Sequence, residues 1–195
     1  MVQAYFFKNM KRTFFYLLIC LMAFSACKQN KTQDSSLVFV TIEPLKYFAN
    51  EIGGDKFKVE TMVPKGGNPE TYEPTAKQMM RLSQCPIFIK VGNIGFERTW
   101  NERLHQSAPN TMFIDSSEGI SLIESSEHVD DPHTWMSCHN AIVIARHICN
   151  AFKQQKPADS TYFNQNLNRF IAKVNLTDQA IKGMLYKSNT KAFLI

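Results

Sequence analysis

Short apolar runs that alternate with helix-forming segments are the feature that most constrains how this chain folds. The runs are rich in β-branched and aromatic residues and predict strands at residues 37–42, 57–63, 86–91 and 111–114. The segments between them predict helices at residues 44–53, 75–83 and 96–106. Strands that are joined by helices pair in parallel, and such a sheet is covered on both faces. The sequence therefore predicts an α/β fold, a parallel β-sheet lobe with flanking helices.

Two further helices are predicted in the last third of the chain, at residues 139–156 and 159–186, with Pro157 between them. The second helix has an apolar stripe whose members are spaced mostly by threes and fours: Phe163, Leu167, Phe170, Val174, Ile181 and Leu185. At about 1.5 Å per residue it is roughly 40 Å long. One small lobe does not require a helix of that length.

A further apolar run at residues 191–195 has the composition of a buried strand. We therefore predict an N-terminal lobe at residues 37–157 and a long linking helix at residues 158–187. Residues 188–195 are then the first strand of a second, similar lobe that is missing from this chain. In open parallel sheets, ligands bind at loops beyond the carboxyl ends of the strands, so the loops after Val63 and Ile114 are candidate binding loops.

The first residues of the chain have the layout of an export signal. Residues 8–12 carry three basic side chains, and residues 13–24 form an uncharged apolar run of twelve residues. That run is too short to span a bilayer as a stable helix but is typical of a signal peptide. We predict that residues 1–26 are the signal peptide of a lipoprotein.

The lipoprotein assignment depends on residues 24–27, Phe-Ser-Ala-Cys. This string resembles the lipobox of bacterial lipoproteins, in which the cysteine thiol is acylated and the signal is cut just before it. Leucine is usual where Phe24 stands, and an ordinary secretory signal with a chance cysteine is the alternative. The resemblance implies that Cys27 is the lipidation site. Residues 27–36 are almost wholly polar and predict a flexible tether between membrane and folded domain.

Composition excludes some partners. The formal net charge is +5, and three of the basic residues belong to the export segment. No dense basic patch with interleaved aromatic residues occurs, so we predict no nucleic-acid partner. Three cysteines remain outside the export segment: Cys85, Cys138 and Cys149. Small buried hydrophobic residues are the favoured interpretation, and one disulfide pair is the alternative.

Two loops contain residues that could bind a metal ion. One loop holds Glu70 and the other holds His133, and each of these residues directly follows a proline. Imidazole and carboxylate groups together suit Zn²⁺, and also Mn²⁺ or Fe²⁺. From residue types alone, a solvated glutamate and a hydrogen-bonded structural histidine are the favoured interpretations of these two residues. Two candidate ligands do not make a four-ligand site.

The two loops also carry recognisable motifs. Pro-x-x-Tyr-x-Pro at residues 69–74 and Asp-Pro-His-Thr-Trp at residues 131–135 resemble the signatures of the zinc/manganese solute-binding proteins of ABC importers. The resemblance covers about residues 37–195. It implies two lobes joined by one long helix, with the metal between the lobes.

The resemblance also implies a ligand set. His133 matches the second histidine ligand of the family, and Glu70 stands where the first ligand, usually histidine, is expected. The third and fourth ligands would belong to the second lobe, beyond Ile195. The predicted metal is Zn²⁺, with Mn²⁺ as the alternative, since glutamate coordinates either ion. The segment before Asp131 is short and acidic, with Glu124, Glu127, His128 and Asp130.

The resemblance implies an extracytoplasmic, membrane-anchored lipoprotein that captures a divalent metal and passes it to an ABC permease and its ATPase subunit. It would bind rather than catalyse. The alternative, motivated by Glu70, is a surface lipoprotein adhesin or other interaction module with a degenerate metal site. A metallohydrolase ranks last, because the sequence contains no HExxH motif and no nucleophile elbow.

Overall fold

The computed structural model describes residues 34–123 and 130–186, and the strands in these ranges form one parallel sheet. The predicted signal peptide, the lipidation site Cys27 and the predicted strand at residues 188–195 lie outside the described residues, as do Glu124, Glu127 and His128. The strands are β1 (Leu37–Val40), β2 (Lys58–Thr61), β3 (Ile87–Lys90) and β4 (Met112–Asp115), in the order β2-β1-β3-β4. The predicted α/β fold with a parallel sheet is confirmed.

β1 is one of the two inner strands of this sheet and lies between β2 and β3. Val38 lies opposite Val59 of β2 and Ile87 of β3, and Phe88 lies opposite Phe113 of β4. All of β1 is buried, which accounts for its unbroken apolar sequence. Backbone hydrogen bonds continue beyond the strand ends, from Met62 N to the Val40 carbonyl (2.8 Å) among others. Three of the four predicted strands are therefore a little longer than the regular ones, and the fourth, predicted at residues 111–114, begins one residue later at Met112.

Helices cover the sheet, and their ends lie within one or two residues of the predicted ones. They are α1 (Glu43–Gly53), α2 (Ala76–Leu82), α3 (Gly95–Ser107), α4 (Cys138–Gln155) and α5 (Ser160–Tyr186). Short 3₁₀ turns occur at Gly54–Lys56, Thr134–Met136 and Pro157–Asp159. Side-chain caps fix some of these ends: Thr75 and Gln78 form a capping box at α2. No helix in the described residues is long and apolar enough to cross a membrane.

The long helix α5 packs on the lobe through its first half. Phe163 and Phe170 are buried, and the Phe163 ring lies 5.8 Å from that of Phe152 in α4. The apolar stripe identified in the sequence continues to Ile181 and Leu185, whose side chains are 40% and 45% exposed. The predicted stripe is therefore buried against this lobe only in its first half, because the helix extends beyond the lobe.

A buried amide fixes α5 in position. Asn166 is 3% exposed, and its side-chain nitrogen donates a hydrogen bond of 2.9 Å to the Ile52 carbonyl at the end of α1. Its side-chain oxygen accepts one from Arg169. Nearer the middle of the helix, Lys173 forms an ion pair of 2.6 Å with Glu51. Two polar contacts from α5 thus reach the last turns of α1.

We expect Asn166→Ala to lower the free energy of unfolding by about 1–3 kcal/mol, because the buried Ile52 carbonyl loses its partner. Urea denaturation followed by circular dichroism measures the change. Asn175→Ala is the matched control, since Asn175 is exposed on the same helix. The control is expected to stay within about 0.5 kcal/mol of the wild type. Equal effects of the two substitutions would contradict the anchoring role of Asn166.

Two of the three cysteines occupy buried positions that small apolar residues could also fill. Cys85 and Cys149 are buried thiols, which agrees with the favoured interpretation rather than with a disulfide pair. The Cys85 thiol donates a hydrogen bond of 2.8 Å to the Ile87 carbonyl, and burial raises its pKa to about 12. Cys85 therefore stays protonated, and unreactive as a nucleophile, at physiological pH.

Candidate metal site

The first candidate ligand, His133, lies in a short loop that we call the His133 loop (residues 131–137). One carboxylate oxygen of Asp131 accepts a hydrogen bond of 2.9 Å from the His133 backbone N–H, and the same oxygen lies 2.7 Å from the imidazole Nδ1. Because Asp131 holds Nδ1, the other ring nitrogen, Nε2, is the one that can bind a metal ion. A carboxylate behind the imidazole is the usual outer partner of metal-binding histidines.

The electrostatics of this pair agree with its geometry. Two hydrogen bonds from His133 lower the pKa of the Asp131 carboxyl: the backbone N–H has the larger effect and the imidazole the smaller one. The carboxylate is therefore charged at neutral pH, and it favours the tautomer that keeps the proton on Nδ1. The side chain of His133 is 62% exposed, so Nε2 is accessible to an ion from solution.

The backbone of the His133 loop is stiff. Thr134 N donates to the Pro132 carbonyl (2.8 Å) and Met136 N to the His133 carbonyl (3.1 Å). The loop ends at Ser137, whose side chain caps α4. The imidazole is thus placed at the start of an 18-residue helix rather than on a free loop.

A cavity of about 580 Å³ lies in front of this loop. Its lining combines polar groups with apolar ones: Asp131, His133, Asn140, Leu122, Ile123 and Trp135. The Trp135 ring lies 5.1 Å from the His133 ring, so the aromatic side chain packs beside the candidate ligand. The cavity is large compared with one ion, and further ligands or water could enter it.

The second candidate ligand, Glu70, lies in a loop at residues 66–74, which we call the Glu70 loop. This loop contacts the first turn of α3. Phe96 N donates to the Pro69 carbonyl (3.0 Å), and Gly95 N donates to the Glu70 carboxylate oxygen Oε2 (2.8 Å). The guanidinium of Arg98 lies 3.8 Å from the same oxygen. A carboxylate is favoured at this position because the N-terminus of a helix carries partial positive charge.

The loop and the helix approach each other so closely that only glycine fits at residue 95. A Cβ atom at Gly95 would lie 2.4 Å from the Glu70 carbonyl oxygen and 2.6 Å from Oε2. These contacts are far below van der Waals distance, and the backbone carbonyl cannot move aside as a flexible side chain could. Gly95 therefore lets the Glu70 loop rest directly on α3.

We expect Gly95→Ala to destabilise the fold by about 1–3 kcal/mol, because the added methyl group overpacks this contact. Gly183→Ala is the matched control: a Cβ atom there meets nothing within 4 Å. It lies in α5, where alanine instead of glycine should stabilise by about 0.5–1 kcal/mol. Thermal unfolding of both variants measures the difference. A Gly95 variant as stable as the wild type would show that the loop is not seated on α3.

The helical turn that begins at Gly95 also contains a buried carboxylate, which was not predicted from the sequence. Glu97, in the first turn of α3, is 2% exposed. It accepts hydrogen bonds from Val91 N and Gly92 N, both 2.7 Å, and from the Thr41 hydroxyl. Glu97 therefore ties the start of α3 to the carboxyl ends of β1 and β3. The available signal was a glutamate in the first helical turn directly after a buried strand.

The structure places the two predicted ligands in separate local networks. Glu70 contacts Gly95 and Arg98, whereas His133 contacts Asp131 and Trp135. In residues 34–123 and 130–186, no group of three or more His, Cys, Asp or Glu side chains could hold a metal ion. Both ligand assignments therefore remain predictions. Two other histidines have contacts of their own: the ring centroid of His105 lies 3.8 Å from that of Phe113, and Nδ1 of His147 donates to the Ser116 carbonyl at 3.2 Å.

Comparison with known proteins places most of the chain in one family. The family model described as ZnuA, zinc-uptake complex component A, periplasmic, matches residues 38–195. The high-affinity zinc uptake system protein ZnuA of Bacillus subtilis (strain 168) is 26% identical over 203 residues, covering 92% of this chain and 63% of that protein. The manganese ABC transporter substrate-binding lipoprotein PsaA of Streptococcus pneumoniae is 27% identical, covering 87% of this chain and 58% of that protein.

A solved structure shows the same fold. The crystal structure of a zinc-bound deletion mutant of ZnuA is 31% identical, with a TM-score of 0.77, and the match covers 82% of this chain and 62% of that one. The chain thus spans less than two thirds of the length of these relatives.

Proposed function

Because the chain belongs to the family of the zinc-uptake complex component A, we propose that it is the metal-capture component of a divalent-metal ABC importer. It binds its substrate, a divalent metal ion, and does not catalyse a reaction. Zn²⁺ is the first assignment and Mn²⁺ the alternative, in line with relatives named for zinc uptake and for manganese transport. These names favour transport over the adhesin hypothesis.

The observation that carries the proposal is the Asp131–His133 pair. The carboxylate holds Nδ1 at 2.7 Å, which leaves Nε2 for a metal ion, and His133 lines the cavity in front of the loop. This arrangement fixes the tautomer and the orientation of the imidazole before any ion arrives. Neutral imidazole is a good ligand for Zn²⁺.

Glu70 is the second proposed ligand. Its carboxylate is about half exposed, so a metal ion has access to it. Oxygen ligands suit harder ions, and a glutamate where the family usually has histidine therefore favours a wider tolerance for Mn²⁺. Remaining ligands would come from a second lobe, which residues 158–187 would connect to the lobe at residues 37–157. The exposed apolar side chains of Ile181, Met184 and Leu185 support such packing.

The proposed location is extracytoplasmic, with the chain anchored in the membrane through lipid on Cys27. Support comes from the sequence resemblance at residues 24–27 and from relatives that are named as lipoproteins. The proposed partners are the ABC permease and its ATPase subunit. A lipid anchor would keep the metal-loaded protein close to that permease.

Equilibrium dialysis of the full-length gene product against buffered zinc tests the binding function, with bound metal measured by mass spectrometry. About one zinc ion per chain is the expected result, since one cleft offers one four-ligand site. A transport test follows: a strain lacking the gene should grow poorly when zinc is chelated, and the wild-type gene should restore growth. Failure to retain either zinc or manganese would contradict the proposal.

A further inference from the structure

Arg98 lies beside the proposed ligand Glu70 and is held there by a contact of its own. Its Nη1 atom donates to the backbone carbonyl of Asn93 (2.8 Å) and to the side-chain oxygen of Asn93 (3.2 Å). Its Nη2 atom lies 3.8 Å from Oε2 of Glu70. The guanidinium is thus fixed at one end by Asn93 and faces the carboxylate at the other.

One oxygen of the Glu70 carboxylate, Oε2, therefore already has two partners in this structure. Oε2 accepts the Gly95 N–H at 2.8 Å and faces the guanidinium at 3.8 Å. An arginine side chain stays protonated at any physiological pH, so this positive charge is permanent. A divalent cation that approaches Glu70 meets that charge and must displace the guanidinium or share the carboxylate with it.

We propose that Arg98 sets the metal affinity of this site by competing with the divalent cation for the carboxylate of Glu70. The proposal rests on the proposed function, in which Glu70 is a metal ligand. The competition lowers the affinity and leaves a counter-charge ready to pair with Glu70 when the ion departs. A protein that must hand its ion to a permease gains from such a contact, since release is made easier.

The competing interpretation is that Arg98 only stabilises the start of α3. Both Arg98 and Glu70 are about half exposed, so their mutual attraction is screened by water and modest in size. A purely structural role would change the unfolding transition of an Arg98 variant and leave its metal affinity alone. Metal affinity, and its dependence on Glu70, therefore separates the two interpretations.

The test is a zinc titration of the full-length protein in competition with a chromogenic chelator. Arg98→Gln is expected to bind zinc roughly threefold to tenfold more tightly than the wild type, because a positive charge close to the ion is removed. Arg98→Lys keeps the charge and should stay within about twofold. Arg103→Gln is the matched control: Arg103 is on the same helix but lies over the Trp100 ring, 5.0 Å from its centroid.

A double-mutant cycle ties the effect to Glu70. In a Glu70→Gln background, Arg98→Gln should lose most of its tightening, because the carboxylate for which it competes is gone. Unchanged or weaker zinc binding by Arg98→Gln would overturn the proposal, as would equal tightening by Arg103→Gln or in the Glu70→Gln background. If the wild type binds zinc through His133 and Arg98→Gln matches its affinity, this inference fails and the proposed function stands. If the wild type binds no metal, both fail.

Discussion

Replacement of His133 by alanine is expected to weaken zinc binding by the full-length protein by more than about a hundredfold. The structure already orients this imidazole, through the 2.7 Å contact of Nδ1 with Asp131. Loss of the outer partner of a metal ligand costs about tenfold to a hundredfold in affinity. Loss of the ligand itself should cost more, and Asp131→Asn should fall in the lower range.

His139→Ala is the control for this experiment. His139 is exposed and lies in the first turn of α4, six residues after His133. Its removal takes away the same chemical group from the same part of the surface and should change the zinc affinity by less than about twofold. Isothermal titration of the three variants gives the comparison. Similar affinities for His133→Ala and His139→Ala would rule out His133 as a ligand.

The largest effect on stability is expected from Glu97→Ala. Two buried backbone donors, Val91 N and Gly92 N, would lose their acceptor, and the Thr41 hydroxyl would keep only a 3.4 Å contact with the Ile89 carbonyl. An unsatisfied buried donor costs about 1–3 kcal/mol, so a loss of roughly 3–5 kcal/mol in the free energy of unfolding follows. The start of α3 would be released, and with it the support of the Glu70 loop.

Urea denaturation measures this loss, and Glu102→Ala is its control. Glu102 is exposed on the same helix, and its substitution should change stability by less than about 0.5 kcal/mol. A loss below about 1 kcal/mol for Glu97→Ala would contradict the role assigned to its hydrogen bonds. Wild-type metal affinity in that variant would also show that the Glu70 loop needs no support from Glu97.

Glu97 also predicts a pH dependence. Burial raises the pKa of Glu97 above its ordinary value of 4.5, so the folded protein holds this proton more tightly than the unfolded chain does. The stability that this group contributes is complete below pH 4.5 and is lost as the pH rises through the folded-state pKa. From about pH 5 to about pH 7, the wild type should therefore lose more stability than Glu97→Gln. The opposite order would show that the three donors outweigh burial.

Local patterns were sufficient to predict the elements of this fold. The unbroken apolar run of β1 predicted a strand in a sheet covered on both faces, and the helix predicted at residues 75–83 is α2, Ala76–Leu82. The periodicity of α5 predicted a helix but not which part of it touches the lobe. Phe163 is buried and Leu185 is 45% exposed, although both belong to one stripe. Periodicity records which residues share a face and contains no information about where the neighbouring element ends.

The site was less predictable, because its contacts join residues far apart in sequence. The motifs located His133, and the Asp131 contact that orients it spans only two residues. Glu70 contacts Gly95, 25 residues further along the chain, and no local sequence pattern predicts that contact. Glu97 was missed for the same reason, since its donors follow the carboxyl ends of two strands whose order in the sheet is known only from the structure.

The zinc K-edge X-ray absorption spectrum of the full-length protein, loaded with one equivalent of zinc, tests the central claim most directly. The expected spectrum shows imidazole scattering with a Zn–N distance of about 2.0–2.1 Å, together with oxygen ligands. In His133→Ala, measured at a concentration that loads the variant, the imidazole contribution should fall by about one ring. Identical spectra for the two proteins, or a wild-type spectrum without imidazole, would contradict the assignment of His133 as a metal ligand.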